Sequence, residues 1–239
     1  MAITIDQGNL GTANSAGTLG SVTVTTAATA AVGSFIVLST SLFGDGSVLT
    51  SVSGGGLSWV VDRGHLGAAA FRKAWARAYA PAGLASGTVI TPTFDTTDAG
   101  VSYTFGLTSL LGVKSSSPLD VADAEGAGQS FSGTNSWNTS TLAVQAGSIV
   151  LGNASKDDDS TGNTPTSPAV DAWDLGGEVV SYRIEASAGS YNVAGTFQGV
   201  TSGVSIFAGA IAYLAEATYV PAGEAGPTLI NVHANRQTW

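Results

Sequence analysis

The most apolar stretch of this sequence is residues 204–214, and residues 101–111 repeat its opening Val-Ser and its length. Both stretches carry β-branched and aromatic residues and contain no charged residue. Apolar residues on both faces indicate a strand in the middle of packed sheets and not at an edge. We therefore predict that the two stretches are long strands with equivalent, central places in the fold.

Shorter apolar runs, separated by turns rich in Gly, Ser, Thr and Asp, predict further strands. Residues 68–80 are Ala-rich and could form a helix, but the large side chains from Phe71 to Tyr79 are spaced by two. This spacing favours a strand with those side chains on one face. A first short strand is predicted at residues 3–5, and the strands predicted in the first half are residues 21–26, 35–41, 48–52, 57–62, 70–79, 88–94 and 101–111.

The second half of the chain repeats the motif order of the first. Gly33-Ser-Phe-Ile-Val-Leu matches Gly147-Ser-Ile-Val-Leu, and Val101-Ser matches Val204-Ser. The offsets, 147 − 33 = 114 and 204 − 101 = 103, place a loop of different length between the matched strands. The repeated order predicts two duplicated halves, at about residues 21–113 and 139–215.

A duplication allows two small sandwiches in tandem, or one larger domain to which both halves contribute strands. Each half has only six or seven predicted strands, and no Pro-rich linker separates the halves. We therefore favour an all-β, two-sheet β-sandwich over residues 21–217, with a jelly-roll or Greek-key path and one shared core.

The two ends of the chain differ from this sandwich in composition. Residues 8–20 are rich in Gly, Asn and Ser, which is typical of an arm or linker. Residues 218–239 contain two Pro-Ala-Gly-type breaks, a short apolar strand at 229–232 and a terminal Trp. We predict an N-terminal arm over residues 1–20 and an extended C-terminal arm over residues 218–239, both held by neighbouring subunits.

Composition excludes several classes of protein. The 32 Gly and 10% charged residues suit short strands and disfavour long helices. The formal net charge of -9, with eight Lys and Arg, provides no basic stripe for nucleic acid and no polybasic patch for a membrane. No apolar run is long enough to cross a bilayer. The absence of Cys excludes disulfides and thiolate chemistry, and because the first residues lack a basic and an apolar region, we expect no signal peptide.

Candidate reactive groups are few. His65 lies near Asp62 and Arg63, but the chain has only one other His, His233, and no nucleophile-elbow Ser. The run Asp157-Asp-Asp159, with Asn153 and Asn163, could chelate Ca²⁺, although its spacing is not that of an EF-hand and a solvated acidic turn is favoured. We predict no catalytic residue, no cofactor and no metal site.

Tryptophans are the remaining candidates for a binding site. Trp59 and Trp75 lie inside predicted strands and are expected in the core. Trp137 and Trp173 flank predicted loops, and Trp239 ends the chain, so these three are candidate contacts for a glycan or a protein partner. A glycoside hydrolase would also need two carboxylates close together in space, which the pattern does not indicate.

The motif order over residues 20–215 resembles a β-sandwich domain of bacteriophage structural proteins. The motifs that carry the resemblance are Gly33-Ser-Phe-Ile-Val-Leu, Val52-Ser-Gly-Gly-Gly-Leu-Ser-Trp59, Trp75-Ala-Arg-Ala-Tyr-Ala-Pro81 and Thr88-Val-Ile. They are mostly turn and strand motifs, which also occur in bacterial surface proteins and beside carbohydrate-binding modules.

The resemblance implies a non-enzymatic virion component, made in the host cytoplasm and placed on the capsid as a decoration protein or on the tail. Its expected partners are other virion proteins and copies of itself. The alternative is a carbohydrate-binding or adhesin module that recognises host or environmental glycans. The resemblance provides no catalytic residues.

Overall fold

A computed structural model describes residues 2–17, 22–43, 47–67, 71–95, 101–124, 128–156, 162–175, 178–198 and 205–216. All regular structure in these ranges is β, and every described strand pair is antiparallel. The prediction of an all-β chain is therefore confirmed. Among the described residues there is no helix with the length and apolar character needed to span a membrane.

The described strands of the first half begin near the N-terminus and end at the first long apolar stretch. They are β1 (Thr4–Gly17), β2 (Val24–Thr25), β3 (Ser34–Phe43), β4 (Leu49–Gly54), β5 (Trp59–Leu66), β6 (Phe71–Ala80), β7 (Val89–Phe94) and β8 (Val101–Leu111).

The strands of the second half include several short ones. They are β9 (Leu119–Ala122), β10 (Gln129–Ser132), β11 (Ser136–Asn138), β12 (Leu142–Val144), β13 (Ile149–Lys156), β14 (Asn163–Pro165), β15 (Val170–Leu175), β16 (Glu178–Ile184), β17 (Gly189–Tyr191), β18 (Ala194–Phe197) and β19 (Ser205–Tyr213).

The first half forms a five-stranded sheet with the order β1-β8-β3-β6-β5. Its central strand β3 is buried over nearly its whole length, and it pairs without interruption with β6 and β8. The segment with two-residue spacing is the strand β6, as predicted, and Lys73 and Trp75 on the same face of β6 are both buried.

The segment predicted as an N-terminal arm is, over residues 4–17, the first strand of this sheet. β1 pairs with β8 along its length, with two register shifts. Gly8 and Gly11 let other strands approach closely, since a Cβ on either would lie 2.5 Å from a backbone carbonyl oxygen. Backbone pairing at a sheet edge needs no apolar alternation, so the side-chain pattern predicted a strand only at residues 3–5 and missed the rest of β1.

A second large sheet has the order β10-β19-β13-β16-β15, and β9 also pairs with β19. All of β13 and nearly all of β19 are buried. Numbered by their order along the chain, the four strands of the path β19-β13-β16-β15 are the fourth, first, third and second. The path β8-β3-β6-β5 in the first sheet has the same order. β8 and the described part of the second apolar stretch, β19, each have a paired strand on both sides.

Three small sheets cover the outer faces of the large ones, and the buried apolar residues form three clusters. The β2-β7-β4 sheet packs on the first large sheet, and the β11-β18-β14 and β12-β17 sheets pack on the second. The third cluster lies between the two large sheets. The packed antiparallel sheets are consistent with the expected β-sandwich, but the described strands form five sheets and their core is divided into three clusters. Because β3 and β13 are apolar on both faces, each requires a covering layer on both sides.

The two large sheets pack closely face to face. The Trp173 ring lies over Gly106, where a Cβ would come within 2.2 Å of the indole. The rings of Phe35 and Tyr213 meet edge to face with centroids 5.0 Å apart. Trp75 is fully buried in the same cluster. These contacts join the first and second halves of the chain into one packed body.

Candidate functional site

A group of polar side chains is buried between the two large sheets. Lys73, on β6, is only 1% exposed. Its Nζ donates to the Ser41 hydroxyl on β3 at 2.6 Å, to the Ser155 hydroxyl on β13 at 2.9 Å, and to the Asn153 side-chain oxygen Oδ1 on β13. Because Ser41 lies on the first sheet and Asn153 and Ser155 on the second, the ammonium group bridges the two halves.

Asn153 extends this bridge to an acidic side chain. Its Nδ2 donates to Oε1 of Glu178, on β16, at 2.8 Å. Asn153 and Glu178 are both 0% exposed. The hydroxyls of Ser41 and Thr104 lie near Glu178, but in the described part of the chain its Oε2 has no hydrogen-bond partner of normal geometry. We call these residues the Lys73–Asn153–Glu178 cluster.

Strand register explains why these residues meet. Ser41 is paired directly with Lys73 on one side and with Thr104 on the other, which gives a polar row across β6, β3 and β8. On the facing sheet, Ser155 is paired with Glu178. The rows lie among apolar neighbours, because residues two positions away on the same strands belong to the middle core. These neighbours are Trp75, Leu151 and Val180.

Burial changes the acid–base properties of both charged groups. Desolvation lowers the pKa of Lys73 to about 8, although the attraction of Glu178 partly opposes this change. Desolvation raises the pKa of Glu178 to about 7, and the charge of Lys73 and the neighbouring hydrogen bonds partly oppose it. The two groups therefore exchange a proton more readily than an exposed Lys and Glu would.

Glu178 is expected to make the stability of the protein depend on pH. Its pKa is raised from its ordinary value of 4.5 to about 7 in the fold, so the stabilisation from its protonated form is complete below pH 4.5. It is lost as the pH rises through 7. The free energy of unfolding, relative to that of a Glu178→Gln variant, should fall by up to about 3 kcal/mol across this range. Urea denaturation at a series of pH values measures this difference, and a constant difference would contradict the prediction.

A second buried polar group joins the same two sheets. The guanidinium Nε of Arg77, on β6, lies 2.8 Å from both carboxylate oxygens of Asp62, on β5. The hydroxyl of Tyr213, on β19, donates to Asp62 Oδ2 at 2.8 Å. Burial, and then the charge of Asp62, raise the pKa of Tyr213 well above its usual range. This arrangement connects three strands of the two large sheets.

The two described tryptophans predicted as surface contacts are buried. Trp137, on β11, is 2% exposed, and its Nε1 donates to Oδ1 of Asn163 at 2.9 Å. Trp173, on β15, is 4% exposed and packs between the large sheets. Neither ring has a free face on which a sugar could stack. Trp239 lies outside the described residues.

The other candidate residues do not come together in the described part of the chain. His65 lies within β5. Two residues considered as Ca²⁺ ligands have other hydrogen-bond partners. Asn153 is hydrogen-bonded to Lys73 and Glu178. Asn163 is hydrogen-bonded to Trp137 and Asp171. His233 and the Asp157–Asp159 run lie outside the described residues. No group of three or more His, Asp or Glu in the described ranges could hold a metal ion.

Sequence reasoning did not identify Lys73, Asn153 or Glu178 as a site. One feature of the sequence pointed to a buried lysine, because Lys73 shares the face of β6 that carries Trp75. A Lys on an apolar face indicates either a snorkelling side chain or a buried partner. The partner, Asn153, is 80 residues away in sequence (153 − 73 = 80) and lies on the other large sheet, so no local pattern predicts it.

A depression of about 370 Å³ lies on the surface beside β5 and β6. Val60 and Tyr79 line it and are 46% and 38% exposed, respectively. Its lining also includes Leu57, Ser115 and Arg77, whose guanidinium is paired with Asp62. It is therefore a mostly apolar surface with no unpaired charged group among these lining residues.

No protein-family model matches this chain, and it has no match among the curated proteins or the solved structures compared with it.

Proposed function

We propose that this chain is a non-enzymatic structural component of a bacteriophage virion, either a capsid decoration protein or a tail-associated protein. The observation that carries the proposal is that both large sheets are packed against each other, with hydrogen bonds from Lys73 to Ser155 and from Tyr213 to Asp62 across the interface. Such packing suits a rigid subunit that transmits load between neighbours. The phage assignment rests on the resemblance of residues 20–215 to phage sandwich domains.

We also propose that the chain arose by duplication of a half with a jelly-roll or Greek-key path. The identical fourth-first-third-second strand order in the two large sheets supports this interpretation, as does the repeated motif order. In the first half, the chain alternates between layers. β2, β4 and β7 lie in the small sheet, and β3, β5, β6 and β8 lie in the large one.

The partners in this proposal are other virion proteins and further copies of the chain. Residues 218–239, which lie outside the described residues, are the segment proposed to contact them. An extended segment can add a strand to a neighbouring sheet edge or fill a groove on a neighbour. The exposed Val60 and Tyr79 provide an apolar surface of the kind such contacts use.

Deletion of residues 218–239 tests the proposal. We expect the wild-type chain to co-sediment with purified phage particles and the truncated chain to be lost from them, while its circular dichroism stays β-type. A Ser116→Ala variant, altered at an exposed turn residue, provides the control and should be incorporated normally. Absence of the wild-type chain from particles would overturn the virion assignment. Normal incorporation of the truncated chain would overturn the role of the C-terminal segment.

A glycan-binding role has no supporting observation among the described residues, because Trp137 and Trp173 are buried. Of the three candidate contacts, only Trp239 is left for that alternative. A glycan array probed with the full-length chain and with a Trp239→Ala variant would reveal it.

A further inference from the structure

The Lys73–Asn153–Glu178 cluster places an amine, a carboxamide and a carboxyl group in direct contact. Lys73 Nζ donates to the oxygen of the Asn153 carboxamide, so the amine lies beside the carbonyl group. The nitrogen of the same carboxamide donates to Glu178 Oε1 at 2.8 Å. The nucleophile, the electrophile and the acid–base group that an amide exchange requires are therefore already assembled.

We propose that Lys73 and Asn153 form an intramolecular isopeptide bond, with Glu178 as the catalytic acid and base. This proposal rests on the contacts within the cluster and is independent of the proposed virion function. The chain acts on itself once, so the reaction modifies the protein without turning over a substrate.

The reaction balances without an oxidant or any other reactant. The neutral amine of Lys73 attacks Cγ of Asn153, and the Nζ–Cγ bond forms. Glu178, protonated at the start, delivers its proton to Nδ2, and the resulting carboxylate accepts a proton from Nζ. The Cγ–Nδ2 bond then breaks, and ammonia leaves. The product is a secondary amide between the two side chains, Glu178 returns to its starting protonation state, and the chain loses one ammonia.

The surroundings favour each step. Burial stabilises the neutral form of the Lys73 amine, which is the nucleophilic form, and the protonated form of Glu178. Ser41 accepts a hydrogen bond from Nζ and lies near Glu178, which gives the proton a path between the two groups. Among the described residues, Oε2 of Glu178 has no hydrogen-bond partner of normal geometry, and the hydroxyls of Ser41 and Thr104 lie near the carboxyl group.

The fixed positions of Lys73, Asn153 and Glu178 also favour formation of the bond. The three residues lie on the paired strands β6, β13 and β16, whose backbones are fixed by ladder hydrogen bonds. Reacting groups held in contact on rigid elements react as if at very high local concentration. The apolar core around them excludes the water that would compete as a nucleophile.

Another buried lysine provides a matched comparison. Lys156, on β13, is as buried as Lys73, but its ammonium lies over the Phe197 ring, 4.9 Å from the centroid, in the outer core of the second half. We assign the bond to Lys73 because its Nζ contacts the Asn153 carboxamide, which in turn contacts Glu178.

The bond would link the two halves covalently. It would join β6 of the first large sheet to β13 of the second and close a loop from residue 73 to residue 153. A cross-link that closes a long loop restricts the unfolded chain and raises stability.

Mass spectrometry of the purified full-length chain tests the proposal. We expect an intact mass about 17 Da below that of the sequence, after allowance for removal of Met1, because one ammonia is lost. Trypsin should release a branched peptide that joins residues 73–77 to residues 115–156, uncleaved after Lys73. A full sequence mass, a free 74–77 peptide, or a cross-link between other residues would overturn the proposal. This wild-type result decides the question even if a variant fails to fold.

Variants then assign the roles. Lys73→Arg and Asn153→Ala should abolish the mass loss, since each removes one of the reacting groups. Glu178→Gln should slow bond formation roughly 100-fold or more, so that freshly folded chain remains unlinked. Lys156→Arg, the matched buried control, should keep the full mass loss. Loss of the bond in Lys156→Arg while Lys73→Arg retains it would overturn the assignment to Lys73. An unchanged rate in Glu178→Gln would remove Glu178 from the reaction.

Discussion

Replacement of Trp75 by alanine is expected to lower the free energy of unfolding by about 3–5 kcal/mol. The Trp75 side chain is fully buried between the two large sheets. Its indole nitrogen has no hydrogen-bond partner among the described residues, so the expected loss comes from the cavity and from apolar surface exposed to water and not from a broken polar contact. Chemical denaturation monitored by far-UV circular dichroism measures the change.

Trp59 provides the matched control for this prediction. It lies on the neighbouring strand β5, is only partly buried, and donates one hydrogen bond from its indole to the Gly54 carbonyl at 3.2 Å. Trp59→Ala should therefore cost clearly less than Trp75→Ala. Equal losses for the two variants would show that the space between the sheets is not the closely packed core described here. Trp75→Phe should recover part of the loss, because the ring remains and the unpartnered N–H is removed.

Replacement of Asp62 by alanine is the second substitution with a large expected effect, about 3–5 kcal/mol of unfolding free energy. The Asp62 carboxylate accepts hydrogen bonds from Arg77 and from Tyr213, both at 2.8 Å. Its removal leaves a largely buried guanidinium and a buried hydroxyl without their acceptor. The energetic cost comes mainly from those unpaired groups and less from the attraction that is lost.

A double variant distinguishes these two causes. Asp62→Leu combined with Arg77→Met removes both charges, and it should be more stable than Asp62→Ala because no charge is left unpaired. Tyr213→Phe should cost about 1 kcal/mol, since it deletes a single hydrogen bond. A loss below 1 kcal/mol for Asp62→Ala would mean that Arg77 finds water or another partner, contrary to the buried geometry.

Local patterns in the sequence predicted the class of the fold and many of its strands. The two-residue spacing from Phe71 to Tyr79 identified β6 as a strand despite its alanines, because alternation depends on neighbouring residues alone. The apolar character of residues 35–41 and 101–111 identified β3 and β8 as buried strands. Trp75 was correctly expected in the core.

The same patterns were less informative where pairing depends on the backbone or on distant residues. β1 pairs with β8 through its main chain, so its Gly- and Asn-rich composition was interpreted as an arm. Trp137 and Trp173 flank loops in the sequence, yet small sheets and the facing large sheet cover them. Their burial depends on layers contributed by remote strands, which a local pattern does not contain.

The sequence by itself determined that the chain is all-β, that its longest apolar strands are buried on both faces, and that it carries few reactive groups. Only the tertiary structure decided that the large sheets pack against each other and bring Lys73 into contact with Asn153 and Glu178. The reason is physical. Secondary structure follows from the alternation of side chains over a few residues, whereas a buried polar cluster depends on how two sheets align across a long separation in sequence.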